Sequence, residues 1–135
     1  MITYETSPGN ITPDMLKGFF VGWPNPPSPE KHLEILESAD YMVIAIDSET
    51  NRVVGFINAI TDNILSVYIP LLEVLPEYQG QGIGGELMRR TLDRFKDFYM
   101  IDLICDEKLI PYYKRLGMIP CHGMTVRNFE SQPGL

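Results

Sequence analysis

The stretch Leu71-Leu72-Glu73-Val74-Leu75-Pro76-Glu77-Tyr78-Gln79-Gly80-Gln81-Gly82-Ile83-Gly84-Gly85-Glu86-Leu87 decides how this chain is read. An apolar run reads as a strand, Pro76 bounds a short turn, glycines cluster, and an amphipathic helix opens. Glycines at a helix start let backbone N–H groups approach an anion closely, and the helix dipole favours negative charge there. A pyrophosphate is the guest such a turn suits, and two kinds of molecule could carry it.

Downstream of the glycines, Ile83, Leu87, Met88, Thr91, Leu92 and Phe95 fall on one helical face, with Glu86, Arg89, Arg90, Asp93, Arg94 and Lys96 on the other. Met100 to Cys105 then reads as a strand, Leu109 to Leu116 as a short helix ended by Gly117, and Met124 to Phe129 as a last strand. Upstream, the apolar run from Ile64 to Val74 contains Pro70, which cannot donate to a central ladder and predicts a bulge. Tyr41 to Ile46 and Arg52 to Ile60 flank the turn Asp47-Ser48-Glu49-Thr50-Asn51 and predict a hairpin. Residues 1–6 read as a strand. Thr12-Pro13 and Ser28-Pro29 each pair a capping residue with a helix-starting proline, so two helices are expected, one through Phe20 and one from Glu30 to Ala39. The order β-α-α-β-β-β-α-β-α-β is an α/β sandwich with a mixed sheet.

A chain of 135 residues supports one domain, here 1–135, and its 44% apolar and 21% charged residues are those of a soluble globular protein. The net charge of −7 argues against a nucleic-acid partner and suits a cationic small molecule. No apolar run has the length of a membrane span, so no membrane partner is expected. Met1-Ile2-Thr3-Tyr4-Glu5 has no basic region leading into an apolar one, so no signal peptide is expected. Cys105 and Cys121 form neither a zinc pattern nor a disulfide framework; reduced thiols, a cytoplasmic location and no metal are the expectation.

The first candidate guest is a dinucleotide. Gly80, Gly82 and Gly85 satisfy G-x-G-x-x-G, and Asp102 and Asp106 lie about twenty residues on, where a ribose-binding acid belongs. However, Pro76-Glu77-Tyr78-Gln79 separates strand from glycines, the upstream chain is antiparallel, and about fifty residues remain, too few for a complete nucleotide-binding sheet. The second candidate is coenzyme A. Val74-x-Pro76-x-Tyr78-Gln79-Gly80-Gln81-Gly82-Ile83-Gly84, followed by Leu87, resembles the acetyl-CoA motif of the GNAT superfamily of N-acetyltransferases. The motif's core, Gln/Arg-x-x-Gly-x-Gly/Ala, is met by Gln79, Gly82 and Gly84. Tyr112-Tyr113-Lys114-Arg115-Leu116-Gly117-Met118 is similar to the family's aromatic-Tyr-x-x-x-Gly-Phe segment, and Gly123-Met124 to small bacterial and plastid-type members.

This resemblance implies the GNAT acyl-CoA N-acyltransferase fold: a mixed, mostly antiparallel sheet flanked by helices, its central strands splayed apart. It implies an enzyme moving an acetyl group from acetyl-CoA to a primary amine by direct attack in a ternary complex, with no metal. The alternative is a CoA-binding module without turnover. The pyrophosphate would lie against the N–H groups of Gln79, Gly80, Gln81, Gly82, Ile83 and Gly84. Leu72 and Val74 would pair with the pantetheine arm, and Tyr113 would face the departing sulfur as general acid. The family's basic residues on the fourth strand correspond to Tyr68 and Pro70, neither a base at neutral pH. Glu73 is near, but strand alternation turns it from the face of Leu72 and Val74 unless the bulge resets the register. The acceptor wall falls to Phe19 and Trp23, with Tyr68 as a further substrate contact; that wall suits a small amine with an aromatic or apolar body. Family members are often homodimers, and no heptad in the sequence declares one here.

Overall fold

The computed structural model describes residues 1–135. The strands are β1 (Ile2–Glu5), β2 (Tyr41–Asp47), β3 (Arg52–Thr61), β4 (Ser66–Tyr68), β5 (Leu72–Val74) and β6 (Met100–Asp102). The helices are α1 (Pro29–Ser38), α2 (Ile83–Arg94) and α3 (Ile110–Arg115). One six-stranded sheet runs β1-β2-β3-β4-β6, with β5 paired to β3 beside β4. All pairs are antiparallel except β4 with β6. The architecture is the mixed, mostly antiparallel sheet flanked by helices that the sequence predicts.

The β2–β3 hairpin is the spine. Both strands are almost continuously buried, because each face of the sheet is covered. Strand alternation sorts the two cores. Phe56 points to the side of α1, where its ring lies 4.3 Å from that of His32 and 5.2 Å from that of Phe19. Gly55 points to the side of α2: a Cβ there would meet Ile83 Cγ2 and Leu87 Cδ1, each at 3.2 Å. Its lack of a side chain lets the helix lie close against the strand. Burial of Ile83, Leu87 and Met88 contributes about 1.5–3 kcal/mol each, which holds α2 far more firmly than its intrinsic propensity.

The Ser28 side chain caps α1, accepting from Lys31 N–H at 3.1 Å, with Pro29 opening the helix. Thr12 makes no such bond, and the expected first helix is only a 3-10 turn, Pro13–Leu16. The physical reason lies in the backbone: Gly18 and Gly22 take positive φ, 96° and 84°, and Phe20 is held at 63°, so the helical path cannot continue. β6 stops at Asp102, short of Cys105. The expected last strand, Met124 to Phe129, does not form within the chain: Ile119 to Ser131 are all exposed and no residue from 119 to 127 makes a backbone–backbone hydrogen bond.

Candidate functional site

The site begins where the sheet splits. Across β3, the pairing Ile60–Tyr68 gives way to Ile57–Leu72, so one extra residue is inserted on the β4–β5 side, around Pro70. This is the bulge that the proline predicts. β4 stays with β6, and the last bond across that seam is Ile69 N–H to Asp102 O at 2.9 Å. β5 stays with β3. The two then diverge, and a cleft of about 610 Å³ opens between them, lined by Leu72, Val74, Leu103, Cys105 and Tyr113 among others.

The exposed edge of β5 follows from its pairing. Leu75 N–H donates to Val54 O at 2.8 Å, and Leu71 O accepts from Asn58 N–H at 3.2 Å. Odd positions therefore face β3, and the backbone polar groups of Leu72 and Val74 face the cleft. Asn58 repairs the ladder at the bulge: its Oδ1 accepts from Leu71 N–H at 2.9 Å, and the side chain is buried. A polar residue inside an apolar strand was the only sequence signal for this role.

The glycine loop follows Pro76 and Gln79, which line the cleft. Gly80 and Gly82 take φ of 80° and 81°, the left-handed region open to glycine at little cost. Gly82 caps the twelve-residue α2, and the N–H groups from Gly80 to Gly85 have no partner within the chain. Gly84 is small for a different reason: a Cβ there would collide with the Tyr112 hydroxyl. The Gln79 side chain donates to Val74 O at 3.0 Å and ties the loop to β5, while Gln81 is exposed. Ile83 is buried in the core, so only its N–H can reach a ligand. Glu86 would repel an anion, but Arg89 and Arg90 both bond it, at 2.8 to 2.9 Å, and hold its carboxyl at about 2. Lys108 stands in the cleft wall as an added cation with no salt-bridge partner.

Tyr113 stands on α3 at the junction of the cleft and a second cavity of about 510 Å³, which Tyr68 and Cys105 also line. Burial, then Cys105 and Tyr112, push its hydroxyl up to about 12, so it is protonated at neutral pH. That hydroxyl makes no hydrogen bond within the chain. Tyr112 lies edge-on to it, 5.2 Å between centroids, and fills the space above Gly84.

Trp23 closes the opposite wall with Val21, its ring 4.9 Å from Phe20. Phe19 does not belong to this wall. It is buried against His32 and Phe56, because the turn at Gly18 directs it into the core. Glu73 links the wall to β5: Phe20 N–H donates to Oε1 at 2.8 Å and Val21 N–H to Oε2 at 3.3 Å. Burial raises its carboxyl above the ordinary range, opposed by these two bonds. Replacing Glu73 by Ala should lower stability by about 1–2 kcal/mol in urea denaturation, because two N–H groups and a strained Phe20 lose their partner. Unchanged stability would mean that the turn holds itself. No group of three His, Cys, Asp or Glu side chains comes together to hold a metal.

A split sheet, a glycine-capped helix and a tyrosine at the fork together define a class of protein. Residues 10–118 match the model of the acetyltransferase (GNAT) family, and the chain belongs to that family. A Deinococcus radiodurans R1 protein, described as a candidate acetyltransferase, superimposes with a TM-score of 0.96 at 44% identity, covering 99% of this chain and 93% of that one. A GNAT family protein of Streptococcus pneumoniae TIGR4 is 33% identical with a TM-score of 0.75, covering 95% and 98% of the two chains. Among curated proteins, the uncharacterised N-acetyltransferase ycf52 of Gracilaria tenuistipitata var. liui is 30% identical over 104 residues, 73% of this chain and 56% of that protein. The chain thus spans about half the length of the curated relatives it matches.

Proposed function

We propose that this chain is a single N-acetyltransferase domain that moves an acetyl group from acetyl-CoA to the primary amine of a small molecule, by direct attack in a ternary complex. The observation that carries the reading is the free edge of β5. Its Leu72 and Val74 backbone groups face a cleft that Gln79 and Tyr113 also line, and the unpartnered N–H groups of Gly80 to Gly85 follow directly after Gln79.

These residues fit the co-substrate. Gly80, Gln81, Gly82, Ile83 and Gly84 would take the pyrophosphate through N–H groups, and Gln79 would position the loop through Val74. Leu72 and Val74 would hold the pantetheine arm as an added strand, and an N–H of β5 would steady the oxyanion. The amine nitrogen attacks the thioester carbon, the C–S bond breaks, and the sulfur leaves with its electron pair. Tyr113 hydrogen-bonds that sulfur. Its raised pKa favours donation of a hydrogen bond over full proton transfer, which would run uphill by roughly 3–4 units against a thiol near ~8.5.

No side chain stands ready as base. Tyr68 and Pro70 occupy the family's usual positions, and both Glu73 oxygens hold backbone N–H groups. An alkyl amine of lysine-like pKa is about one part in a few thousand neutral at pH 7, so the proton leaves to water and weakly basic amines are favoured. Trp23 and Val21 give the acceptor an apolar wall, and the net charge of −7 attracts the cation.

The test is thiol release from acetyl-CoA over a panel of amines, alongside titration calorimetry with acetyl-CoA. Turnover with small amines of aromatic or apolar body is expected, rising with pH up to each amine's own pKa and faster at neutral pH for the less basic ones. Binding without release on any amine would identify a CoA-binding module instead. NADH binding without acetyl-CoA binding would point to a dinucleotide.

A further inference from the structure

The glycine loop has little around it. A Cβ at Gly80 or at Gly82 would meet nothing within 4 Å, so no other part of the chain packs on either residue. Both sit at positive φ, and the N–H groups from Gly80 to Gly85 bond nothing in the chain. Glycine also loses more conformational freedom on ordering than any other residue. The order of this loop therefore comes from its two ends. Downstream, Ile83 and Leu87 pack against Gly55. Upstream, three successive side chains reach back to the sheet from the 3-10 turn Pro76–Tyr78 and the residue after it. Glu77 pairs with Arg52 at 3.0 Å, the Tyr78 hydroxyl donates to Asp47 Oδ2 at 2.7 Å, and Gln79 donates to Val74 O at 3.0 Å.

The three fastenings are unequal. The Arg52 and Glu77 side chains are 37% and 53% exposed, and a surface pair of that kind contributes little. Gln79 makes an exposed bond between neutral groups. The Tyr78 bond is short and charge-assisted, and its acceptor Asp47 is only 8% exposed. Asp47 is itself set by the β2–β3 hairpin: Glu49 N–H donates to its Oδ1 at 3.0 Å, and Asn51 N–H to its backbone O at 2.8 Å. The bond from Tyr78 holds the Asp47 carboxyl below the usual carboxylate range, and the bond to Asp47 raises the Tyr78 hydroxyl. Acceptor and donor thus keep their forms across neutral pH. The Tyr78 ring packs on the main core, and neither residue lines the cleft.

We propose that Asp47 and Tyr78 are positioning residues, which fix the glycine loop to the β2–β3 hairpin in the form that takes the donor's pyrophosphate. This assignment rests on the proposed function. It confines the effect of the pair to the part of the donor that the loop holds. A donor with the acetyl group and pantetheine arm alone binds along β5 and is indifferent to the loop, whereas acetyl-CoA is sensitive to it.

The experiment measures thiol release with acetyl-CoA and with acetyl-pantetheine, on one amine, for wild type, Tyr78→Phe, Asp47→Ala and the double variant. Titration calorimetry with CoA accompanies it. Tyr78→Phe keeps the packed ring and removes only the hydroxyl, so it is the deciding variant. Its KM for acetyl-CoA and Kd for CoA should rise about tenfold, with kcat changed by less than about twofold. Its kcat/KM for acetyl-pantetheine should also stay within about twofold of wild type. The double variant should lose no more CoA affinity than the weaker single variant, because the two residues act through one bond. A Tyr78→Phe protein with wild-type affinity for CoA, equal losses with both donors, or a double variant whose loss is the product of the two single losses would each overturn the positioning role alone. A wild type that binds no CoA and uses neither donor would overturn the proposed function, and the positioning role with it.

Discussion

Tyr113→Phe is expected to lower kcat about 100-fold with acetyl-CoA and amine saturating, and to leave KM for both nearly unchanged. The substitution removes one hydrogen-bond donor aimed at charge that develops only as the C–S bond breaks. The ring remains, packed at the base of α3 against the core. The lost hydroxyl has no partner within the chain, so no buried group is orphaned and stability should stay within about 0.5 kcal/mol. Tyr112→Phe is the control. Its hydroxyl sits over Gly84, beside the helix N-terminus, so affinity for acetyl-CoA would move more than kcat. A Tyr113→Phe protein with wild-type kcat would remove the tyrosine from the chemistry.

Acidification from pH 7 toward pH 4 is expected to cost the fold about 3 kcal/mol through His32 alone. Its side chain is buried among Phe19, Phe20 and Phe56, and neither ring nitrogen has a hydrogen-bond partner. Burial lowers its pKa from 6.5 to about 4. The unfolded chain therefore takes up the proton first as pH falls. The stability contributed by the neutral ring is fully present above 6.5, declines through the interval down to about 4, and is lost below it. Urea denaturation at a series of pH values measures this, and His32→Leu should flatten the slope in that interval. Asp62 and Glu86 titrate elsewhere. Three backbone N–H bonds hold Asp62 at about 2, and two arginines do the same for Glu86, so their contributions fall away only below the ordinary carboxylate range. A wild type equally stable at pH 7 and pH 4.5 would contradict the burial of His32.

His32 also marks a limit of reading a sequence. It lies one position before Leu33 on an amphipathic helix, and nothing around it in the chain indicates a partner. Its environment comes from Phe19, Phe20 and Phe56, brought together by a left-handed turn and a strand. Glu73 is similar: its partners, Phe20 and Val21, lie 53 and 52 positions away. Phe19 was expected on the acceptor wall because the resemblance makes the stretch between the two N-terminal helices that wall, and the glycine turn at Gly18 puts it in the core instead.

The sequence by itself determined what depends on local backbone chemistry. Proline at 70 forces a bulge, glycine at 80 and 82 permits left-handed turns, and a glycine-opened amphipathic run makes a helix whose start suits an anion. These constraints act over a few residues, so a few residues reveal them. Tertiary structure alone decided what depends on competition between distant groups: that β5 stays with β3 while β4 leaves with β6, that Asn58 closes the seam, and that Tyr113 stands at the fork. It also decided the fate of Met124 to Phe129. Alternation marks that segment as a strand, but pairing requires a free edge within reach, and the segment is held at its ends by the bonds of Met118 to Tyr113 and of Asn25 to Gln132, with no strand beside it.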